Sequence, residues 1–450
     1  MMALDMDKKT VMVYFIVLAA MEVVFLSLLL KSSLLCSVYL LLTIGTFLIV
    51  IFPEIGIAIA LSGNHILYYI FDKYEIQLSY GPFLFYLFLV LESFFVYSFL
   101  MDNNQKIKFG KLFHISIVIG LLLAVGTLYS ADRAWGLKKT VFYFLLNVFE
   151  FVLILILGKN IKRMKYVFLF TFLIGVYLAI ESFVKMRTDI YFEYVRFALS
   201  DNVGPLNLGR SMGISVVAGT FFITNKESGW VKFLILGTIP FLISPMIWTG
   251  SRGPLLGLAI SLFLFYLLQP QEAKYRKIIL GITSFFAGLY YIFHSSSQVA
   301  ARLETPVLQE ASAAFRILAW IKALQEFAGS PLTGIGTGSF HFDTPWGVPM
   351  IYPHNLIIEM ACELGIIGLI AISWFIILSV YYGFKNIKFY HSVNNNEFVQ
   401  YSITAFSLFV FGFLNAMFTG SIFTNSLVWF GSALIWILFV HQNNDVCQVK

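Results

Sequence analysis

Long apolar runs separated by short polar segments fill most of the chain. An α-helix that crosses a bilayer needs roughly 17–25 mostly apolar residues. Thirteen runs meet this length, near residues 11–30, 34–52, 80–101, 112–130, 137–158, 165–185, 207–224, 230–250, 253–269, 276–294, 356–384, 400–418 and 420–441. A further run, 55–71, is interrupted by polar residues at 62–65, so it either spans the membrane or is re-entrant. The pattern predicts an all-α, polytopic transmembrane bundle of 13 or 14 helices.

One long polar segment, residues 295–353, interrupts this pattern. It divides the chain into N-terminal transmembrane helices (1–294), a large loop (295–353) and C-terminal transmembrane helices (354–450), which together form one membrane domain. Within the loop, 313–328 has helical spacing, and its predicted apolar side comprises Phe315, Leu318, Ala319, Leu324 and Phe327. We expect this partly helical loop to lie over an entrance in the membrane surface.

Two local patterns in this loop bear on its function. Arg316 and Trp320 are four residues apart, so they lie on one helix face. Glycines at 334, 336 and 338 follow the helix and predict a turn that closes the loop over a site. A phosphate-binding loop is a weaker interpretation of these glycines, because no Lys-Ser/Thr pair follows them.

The composition excludes an ordinary soluble domain. Only 12% of the residues are charged and 59% are hydrophobic, whereas soluble domains have roughly 25% charged residues. Cys36, Cys362 and Cys447 are too widely spaced for a metal or disulfide motif, and we expect small buried side chains. The first apolar run lacks a small-residue cleavage site, which favours a retained helix over a cleaved signal peptide.

The basic residues predict the orientation of the helices. Lys and Arg crowd the loops 102–111, 159–166, 274–277 and 385–388, which we therefore expect in the cytoplasm. The net charge of +6 thus has a topological role and does not indicate a nucleic-acid partner. The segments 186–206 and 295–353 then lie outside. One segment disagrees, because 131–139 falls outside by alternation and yet contains Arg133, Lys138 and Lys139.

Four motifs between residues 316 and 368 resemble one known family. They are Arg316-x3-Trp320, Pro331-Leu-x-Gly-Ile-Gly-x-Gly-x-Phe340, His354-Asn355-x3-Glu359 and Glu363-Leu-Gly-Ile-Ile-Gly368. This series is similar to the signature of the O-antigen ligase and O-antigen polymerase family, whose members are integral membrane enzymes that move lipid-linked glycans. The resemblance implies a multi-pass protein of the bacterial inner (plasma) membrane with its active site on the extracytoplasmic face.

The same resemblance implies the reaction and its partners. The donor would be an undecaprenyl-diphosphate-linked glycan, transferred to a hydroxyl without a cofactor or metal. The acceptor would be a growing glycan in a polymerase, or a lipid-A core in a ligase. No feature of the sequence marks a lipid-A acceptor, which favours a polymerase slightly. Membrane lipids and other polysaccharide-assembly proteins are further expected partners, and nucleic acid is not.

Two arginines are candidates for gripping the diphosphate. Arg252 occupies a very short link between apolar runs, flanked by Gly250 and Gly253. Arg210 begins another run, with Asn207 three residues before it. Each could simply anchor a helix at the lipid headgroups. However, the guanidinium fork matches phosphate oxygens, and the family has arginines in the corresponding regions.

His354 is the candidate base. It directly follows the long loop, and histidine titrates nearest to neutral pH among the side chains. A structural, hydrogen-bonded histidine is the alternative. Asn355 and Glu359 are weaker candidates for orienting it, and Arg316 is a candidate substrate-binding residue through its motif. The remaining histidines have no metal-ligand spacing, so we predict no metal site.

Two other functional classes remain open. A flippase for lipid-linked oligosaccharides would have inverted repeats and charges at the membrane midplane, whereas the candidate charges here cluster at one face. A dolichol-phosphate-type glycosyltransferase would need acidic residues on an early outer loop. Asp72 and Glu75 meet that need only if 55–71 crosses the membrane.

Overall fold

The computed structural model describes residues 52–62, 65–73, 108–188, 197–224, 229–270, 311–344 and 349–449. Over these residues the chain forms twelve helices and no β-strand, with a single isolated bridge between Phe342 and Met350. The predicted all-α class is confirmed. Three predicted spans, near 11–30, 80–101 and 276–294, lie outside the described residues, as does nearly all of 34–52.

The helices are numbered here in chain order. They are α1 (Pro53–Leu61), α2 (His65–Lys73), α3 (Lys111–Leu128), α4 (Arg133–Leu157), α5 (Met164–Thr188), α6 (Pro205–Thr224), α7 (Val231–Trp248), α8 (Arg252–Leu267), α9 (Ala311–Gly329), α10 (Leu356–Ser392), α11 (Asn396–Ala416) and α12 (Ser426–Val449). One π-helical turn, Phe144–Val148, lies inside α4. Seven of the described helices, α3 to α7, α10 and α11, are long and apolar enough to cross a membrane, so the chain is a multi-pass membrane protein.

The interrupted run at 55–71 forms two short helices that follow α5. Glu54, at the start of α1, pairs with Arg163 just before α5, with 3.0 Å between Oε1 and Nε. Lys73, at the end of α2, pairs with Glu181 near the far end of α5 at 2.8 Å. Residues 163 to 181 of a helix cover about 27 Å, close to the ~30 Å hydrocarbon core. This geometry favours a broken spanning helix over a re-entrant segment.

Polar contacts divide the bundle into two ends. At one end, His441 Nε2 donates to the Gly158 carbonyl at 2.9 Å, and His391 Nε2 donates to the Leu268 carbonyl at 3.1 Å. The Lys- and Arg-rich segments 158–165 and 385–388 lie here, and we call it the basic end. The other end contains the segments 128–133, 248–254, 349–356 and 417–425, and we call it the site end. The alternation of helices places these two sets at opposite ends.

The structure corrects the prediction for residues 131–139, the segment whose positive charges disagreed with the predicted orientation. The sequence pattern predicted a span at 137–158, but α4 begins at Arg133. Lys138 and Lys139 are therefore helix residues, and Lys139 is fully buried. The side chain of Asp132 accepts a hydrogen bond from the backbone N–H of Trp135 and caps the helix. A buried, paired lysine gives no information on topology, so Lys139 no longer counts against the charge pattern, whereas Arg133 and Lys138 are exposed and still do.

A second correction concerns α10, for which residues 356–384 were predicted as one uninterrupted run. It is broken at Gly365, which has φ of 65° and ψ of −155°. The turn after α9 fills the break, because Ile335 N–H donates to the Cys362 carbonyl at 3.0 Å and Ile366 N–H to the Pro331 carbonyl at 2.8 Å. A Cβ at position 365 would lie 2.4 Å from the Leu332 carbonyl oxygen, so only glycine fits.

Candidate active site

The segment 417–425, which joins α11 to α12, forms the floor of the site. Asn425 Nδ2 donates to the carbonyls of Thr419 at 3.1 Å and Ser421 at 3.0 Å, which closes the segment into a tight turn. Gly420 has φ of 75°, and a Cβ there would lie 2.5 Å from Thr424 Oγ1. The turn therefore requires glycine at this position, and it presents the remaining amide oxygen of Asn425 to its neighbours.

Arg210 is held by that oxygen. Its Nη2 donates to Asn425 Oδ1 at 2.6 Å. The residue lies in the second turn of α6, and Asn207 lies one turn earlier on the same helix, half-buried. Because the Asn425 amide nitrogen is already bonded to two carbonyls, its oxygen cannot rotate away. The guanidinium of Arg210 is thus fixed at the site end.

Arg252 lies next to this arrangement. It is the first residue of α8, and its turn packs against both α6 and the 417–425 segment. A Cβ at Gly209 would lie 3.4 Å from Pro254, and one at Gly253 would lie 3.6 Å from Phe418 Cβ. Both distances are ordinary van der Waals contacts, so these segments pack directly against each other. The turn predicted around Arg252 is therefore a neighbour of the helix that contains the first arginine.

Tyr352 and His354 form the opposite wall. Their ring centroids are 4.6 Å apart, and Trp320 of α9 donates from Nε1 to the Pro353 carbonyl at 2.7 Å. His354 has φ of 58°, which is uncommon for a residue with a side chain and is often found at functional sites. Its Nδ1 is buried and has no hydrogen-bond partner among the described residues.

Electrostatic interactions connect this wall to the arginines. Burial, together with the positive charge of Arg316, lowers the pKa of His354 to about 4. Burial also raises the pKa of Tyr352, and the negative charge of Glu359 raises it further. The positive charges of Lys139, Arg210 and Arg316 act in the opposite direction and lower this pKa. The Tyr352 hydroxyl is thus within the field of two arginines, and His354 is neutral near pH 7.

Asn355 joins α10 to the floor of the site. Its Oδ1 accepts from the backbone N–H groups of Ile357 and Ile358, both at 3.1 Å, and so caps the helix. Its Nδ2 donates to the Met417 carbonyl at 3.2 Å. The sequence pattern suggested that the Asn355 side chain orients His354. In the structure these bonds fix the backbone that follows His354, so any orienting effect acts through the main chain.

A buried ion cluster lies beneath the floor. Lys139 Nζ is 2.7 Å from both carboxylate oxygens of Glu363 and also contacts Glu359 Oε1. Glu359 accepts further bonds from Ser421 Oγ at 2.5 Å and from Ile422 N–H at 3.0 Å. The three charged side chains are at most 1% exposed. One ammonium and two carboxylates thus connect α4 and α10 to the segment that holds Arg210.

The structure places most of the predicted site residues at one end of the bundle. Arg210, Arg252, Arg316, His354, Asn355 and Glu359 all lie at the site end. Sequence reasoning missed Tyr352 and Asn425, and it treated Lys139 as a loop charge. The polar residues Thr419, Ser421, Thr424 and Asn425, where the predicted runs 400–418 and 420–441 meet, were the available signal for Asn425. The anomalous charge of 131–139 was the signal for Lys139.

Two further observations concern the alternatives. No group of three or more His, Cys, Asp or Glu side chains in the described part of the chain could hold a metal ion. Asp72, the acidic candidate for a dolichol-phosphate-type enzyme, accepts from Asn202 through both oxygens, at 2.6 Å from Nδ2 and 3.2 Å from the backbone N–H. Its carboxylate therefore has a structural partner, and Glu75 lies outside the described residues.

Comparison with known proteins finds a family match in the second half of the chain, over somewhat less than a third of its length. Residues 237–373 match the family model described as O-antigen ligase. The match includes Arg252, Arg316, His354, Asn355 and Glu359, whereas Arg210 and the segment 417–425 lie outside it. No curated protein matches the chain. The resemblance predicted from the four motifs is thereby confirmed, and over residues 237–373 this multi-pass membrane protein is similar to the O-antigen ligase family of glycan-transferring enzymes.

Proposed function

We propose that the chain is a membrane glycosyltransferase of surface polysaccharide assembly, which transfers a glycan from an undecaprenyl-diphosphate donor to an acceptor hydroxyl. The observation that supports this most is the clustering of Arg210, the Arg252 turn, Arg316 and a neutral His354 at one end of the bundle. A leaving diphosphate needs positive charge, and an attacking hydroxyl needs a base.

The arginines serve the leaving group in this proposal. When the bond between the anomeric carbon and the phosphate oxygen breaks, the electron pair stays on the diphosphate. Fixed guanidinium donors stabilise that developing charge, and they require little reorganisation if they are already in place. Asn425 holds Arg210 at 2.6 Å in advance of substrate. Arg252 supplies a second planar fork that matches two phosphate oxygens.

His354 serves the acceptor. The acceptor oxygen attacks the anomeric carbon and loses its proton to a ring nitrogen of His354, whose buried Nδ1 has no other partner in the described part of the chain. A pKa of about 4 makes the free histidine a weak base. Binding of the anionic donor places negative charge nearby, which increases the affinity of the imidazole for a proton.

The location of the site completes the proposal. Lys- and Arg-rich segments are typical of the cytoplasmic side, so the basic end lies in the cytoplasm and the site end outside the inner membrane. Asp343 and Asn394 are exposed residues at the two ends. We expect Asp343→Cys, but not Asn394→Cys, to react with a membrane-impermeant thiol reagent added to spheroplasts. The reverse labelling would contradict the orientation.

A second candidate function is flipping of the same lipid-linked glycan. Discontinuous helices are typical of transporters, and the α1–α2 break and the Gly365 break are two such features. Purified protein in proteoliposomes separates the candidates. An enzyme converts radiolabelled donor into a longer glycan and free undecaprenyl diphosphate, whereas a flippase moves the donor across the bilayer and leaves its bonds intact.

The acceptor decides between polymerase and ligase. The same donor should be offered separately with a second lipid-linked repeat unit and with a lipid-A core, without added metal and then with EDTA. Transfer to the repeat unit alone identifies a polymerase, and transfer to lipid-A core alone identifies a ligase. Donor turnover that is lost in EDTA would contradict the proposed metal independence.

A further inference from the structure

Helix α9 has one face packed against the protein. Ala319 and Ala323 are fully buried against Phe340 and Cys362. Trp320 is bonded to the Pro353 carbonyl, and the charge of Arg316 acts on His354. The predicted apolar side of this helix was therefore partly wrong. Small alanines, and not the large leucines, form the packed face.

The opposite face of α9 is exposed and apolar. Within residues 313–329 of this helix, the exposed residues are Leu318, Ile321, Leu324, Gln325, Ala328 and Gly329. Leu318, Ile321 and Leu324 are each 48% exposed, and Gln325 is the single polar member of the set. A helix that lies on a protein surface in water normally has charged and polar residues on its outer face. This exposed face is therefore unsuited to water.

The apolar face continues into the lipid-facing surface of the bundle. Leu332, just after α9, is 70% exposed. Its neighbours attach it to two spanning helices: Tyr129, at the end of α3, donates to the Thr333 carbonyl at 2.6 Å, and Ile366 of α10 donates to the Pro331 carbonyl at 2.8 Å. The adjoining surfaces of those helices are also exposed and apolar, at Val125, Leu128, Ile367 and Ile370.

We infer that α9 is an interfacial helix whose exposed face lies among the lipid acyl chains of the membrane leaflet at the site end. Amphipathic helices of this kind bury their apolar face at the boundary between headgroups and acyl chains. The occupant of the face is bilayer lipid, because the face is continuous with the surface that the spanning helices present to lipid. The inference concerns the membrane and does not require the proposed glycan transfer.

One consequence does rest on the proposed function. If α9 lies at this boundary, Arg316, whose charge acts on His354, lies at the depth of the lipid headgroups. A donor diphosphate attached to a membrane lipid lies at a similar depth. The donor would then reach the arginines by moving sideways in the leaflet, without leaving the membrane.

Spin labels in proteoliposomes test the position of α9. Labels are attached to Ile321→Cys and Leu324→Cys in a background without Cys36, Cys362 and Cys447, in vesicles of phosphatidylethanolamine and phosphatidylglycerol. Oxygen concentrates in acyl chains, whereas a nickel chelate stays in water. We expect several-fold greater collision with oxygen than with nickel at 321 and 324. Asp343→Cys, on the same loop and 90% exposed, is the control and should show the opposite ratio.

Two results would overturn the inference. Nickel access at 321 and 324 equal to that at 343 would place the face in water. Exclusion of both relaxation agents would mean that another protein surface covers it.

The unaltered chain allows an independent measurement in case the cysteine-free background does not fold. A phospholipid with a photoactivatable diazirine in its acyl chain should form adducts on Leu318, Ile321 or Leu324, and not on Ala319 or Ala323. Adducts confined to the spanning helices, with none on residues 313–332, would contradict the inference.

Discussion

The two ends of the bundle differ in how their buried polar side chains are paired. At the basic end, Gln269 and Gln400 pair with each other at 2.8 and 3.2 Å, and two histidines cap carbonyls. The ion pair at that end, between Glu54 and Arg163, leaves the arginine side chain 28% exposed. At the site end, Lys139 is fully buried in salt bridges with Glu359 and Glu363. Neutral pairs hold helices together with little electrostatic consequence, whereas buried ions produce strong fields in a low-dielectric environment.

Backbone strain follows the same division. His354, Gly365 and Gly420 have positive φ at the site end, and among the non-glycine residues described only Asn394, at the basic end, shares this feature. Asn394 lies in an exposed turn, where asparagine adopts this conformation readily. His354 is half-buried beside Tyr352. Charge burial and backbone strain are both often found at functional sites, and in the described part of the chain they occur together at the site end.

The largest expected effect on glycan transfer comes from substituting Arg252, a positively charged residue of the site end. Arg252→Ala and Arg252→Lys should both reduce glycan transfer strongly, because lysine cannot form the bidentate contact. Loss of two charge-assisted hydrogen bonds corresponds to roughly 3–6 kcal/mol at 1.5–3 each. Transfer rates in membranes at equal expression measure this. Arg133→Ala, an exposed arginine at the same end, is the control, and full activity of Arg252→Lys would reduce the residue to a helix anchor.

The next largest effect is expected for His354, and it can be compared with His341 in the same loop. His354→Ala should slow transfer by about 10²–10⁴-fold, the usual contribution of a positioned base, while donor binding changes little. His341→Ala is the control, because His341 is 55% exposed and pairs only with Asp343 among the described residues. Turnover and donor affinity are measured separately. Normal turnover in His354→Ala would exclude it as the base.

A third experiment compares the buried polar groups directly. Lys139→Met leaves two buried carboxylates without their cation and should destabilise the fold by about 3–5 kcal/mol. Gln269→Leu at the basic end should destabilise it by about 1–3 kcal/mol, the penalty for a buried amide that loses its partner. Thermal unfolding of purified protein in detergent measures both.

Lys138→Met is the matched control for the ion cluster. Lys138 is exposed and lies 5.2 Å from the centre of the Trp135 ring, so its loss should change stability by about 1 kcal/mol or less. Equal destabilisation by the Lys139 and Lys138 substitutions would show that the buried cluster has no special structural role.

The smallest effect is a shift in pH dependence. A base works only when neutral, and the pKa of free His354 is about 4. Donor kcat/KM should therefore stay flat as the pH falls from 8 to about 5, and it should decline only below that. Arg316→Gln removes a positive charge that lowers this pKa, so the decline should begin at a higher pH. A decline centred near 6.5 in the unaltered protein would contradict the assignment.

Local patterns in the sequence were enough to predict the seven membrane-spanning helices of the described residues, the helix at 313–328 and the motifs that contain Arg316, His354 and Glu359. Hydrophobic period and motif spacing are properties of neighbouring residues, so one sequence is enough to detect them. The break at 62–65 was also visible, although its consequence was not. Ion pairs at both ends of α5 were needed to favour a spanning path.

Only the tertiary structure decided which polar groups meet. Lys139 and Glu363 are 224 residues apart in the chain, and Arg210 and Asn425 are 215 apart. A charged residue in an apolar run has the same sequence pattern whether its side chain reaches the lipid headgroups or forms an ion pair inside the bundle. The packing of the helices decides which of these occurs, because it brings distant residues into contact. The same reason explains α9, where both faces are apolar. Packing decided that the alanines face the protein and that the leucines face outward.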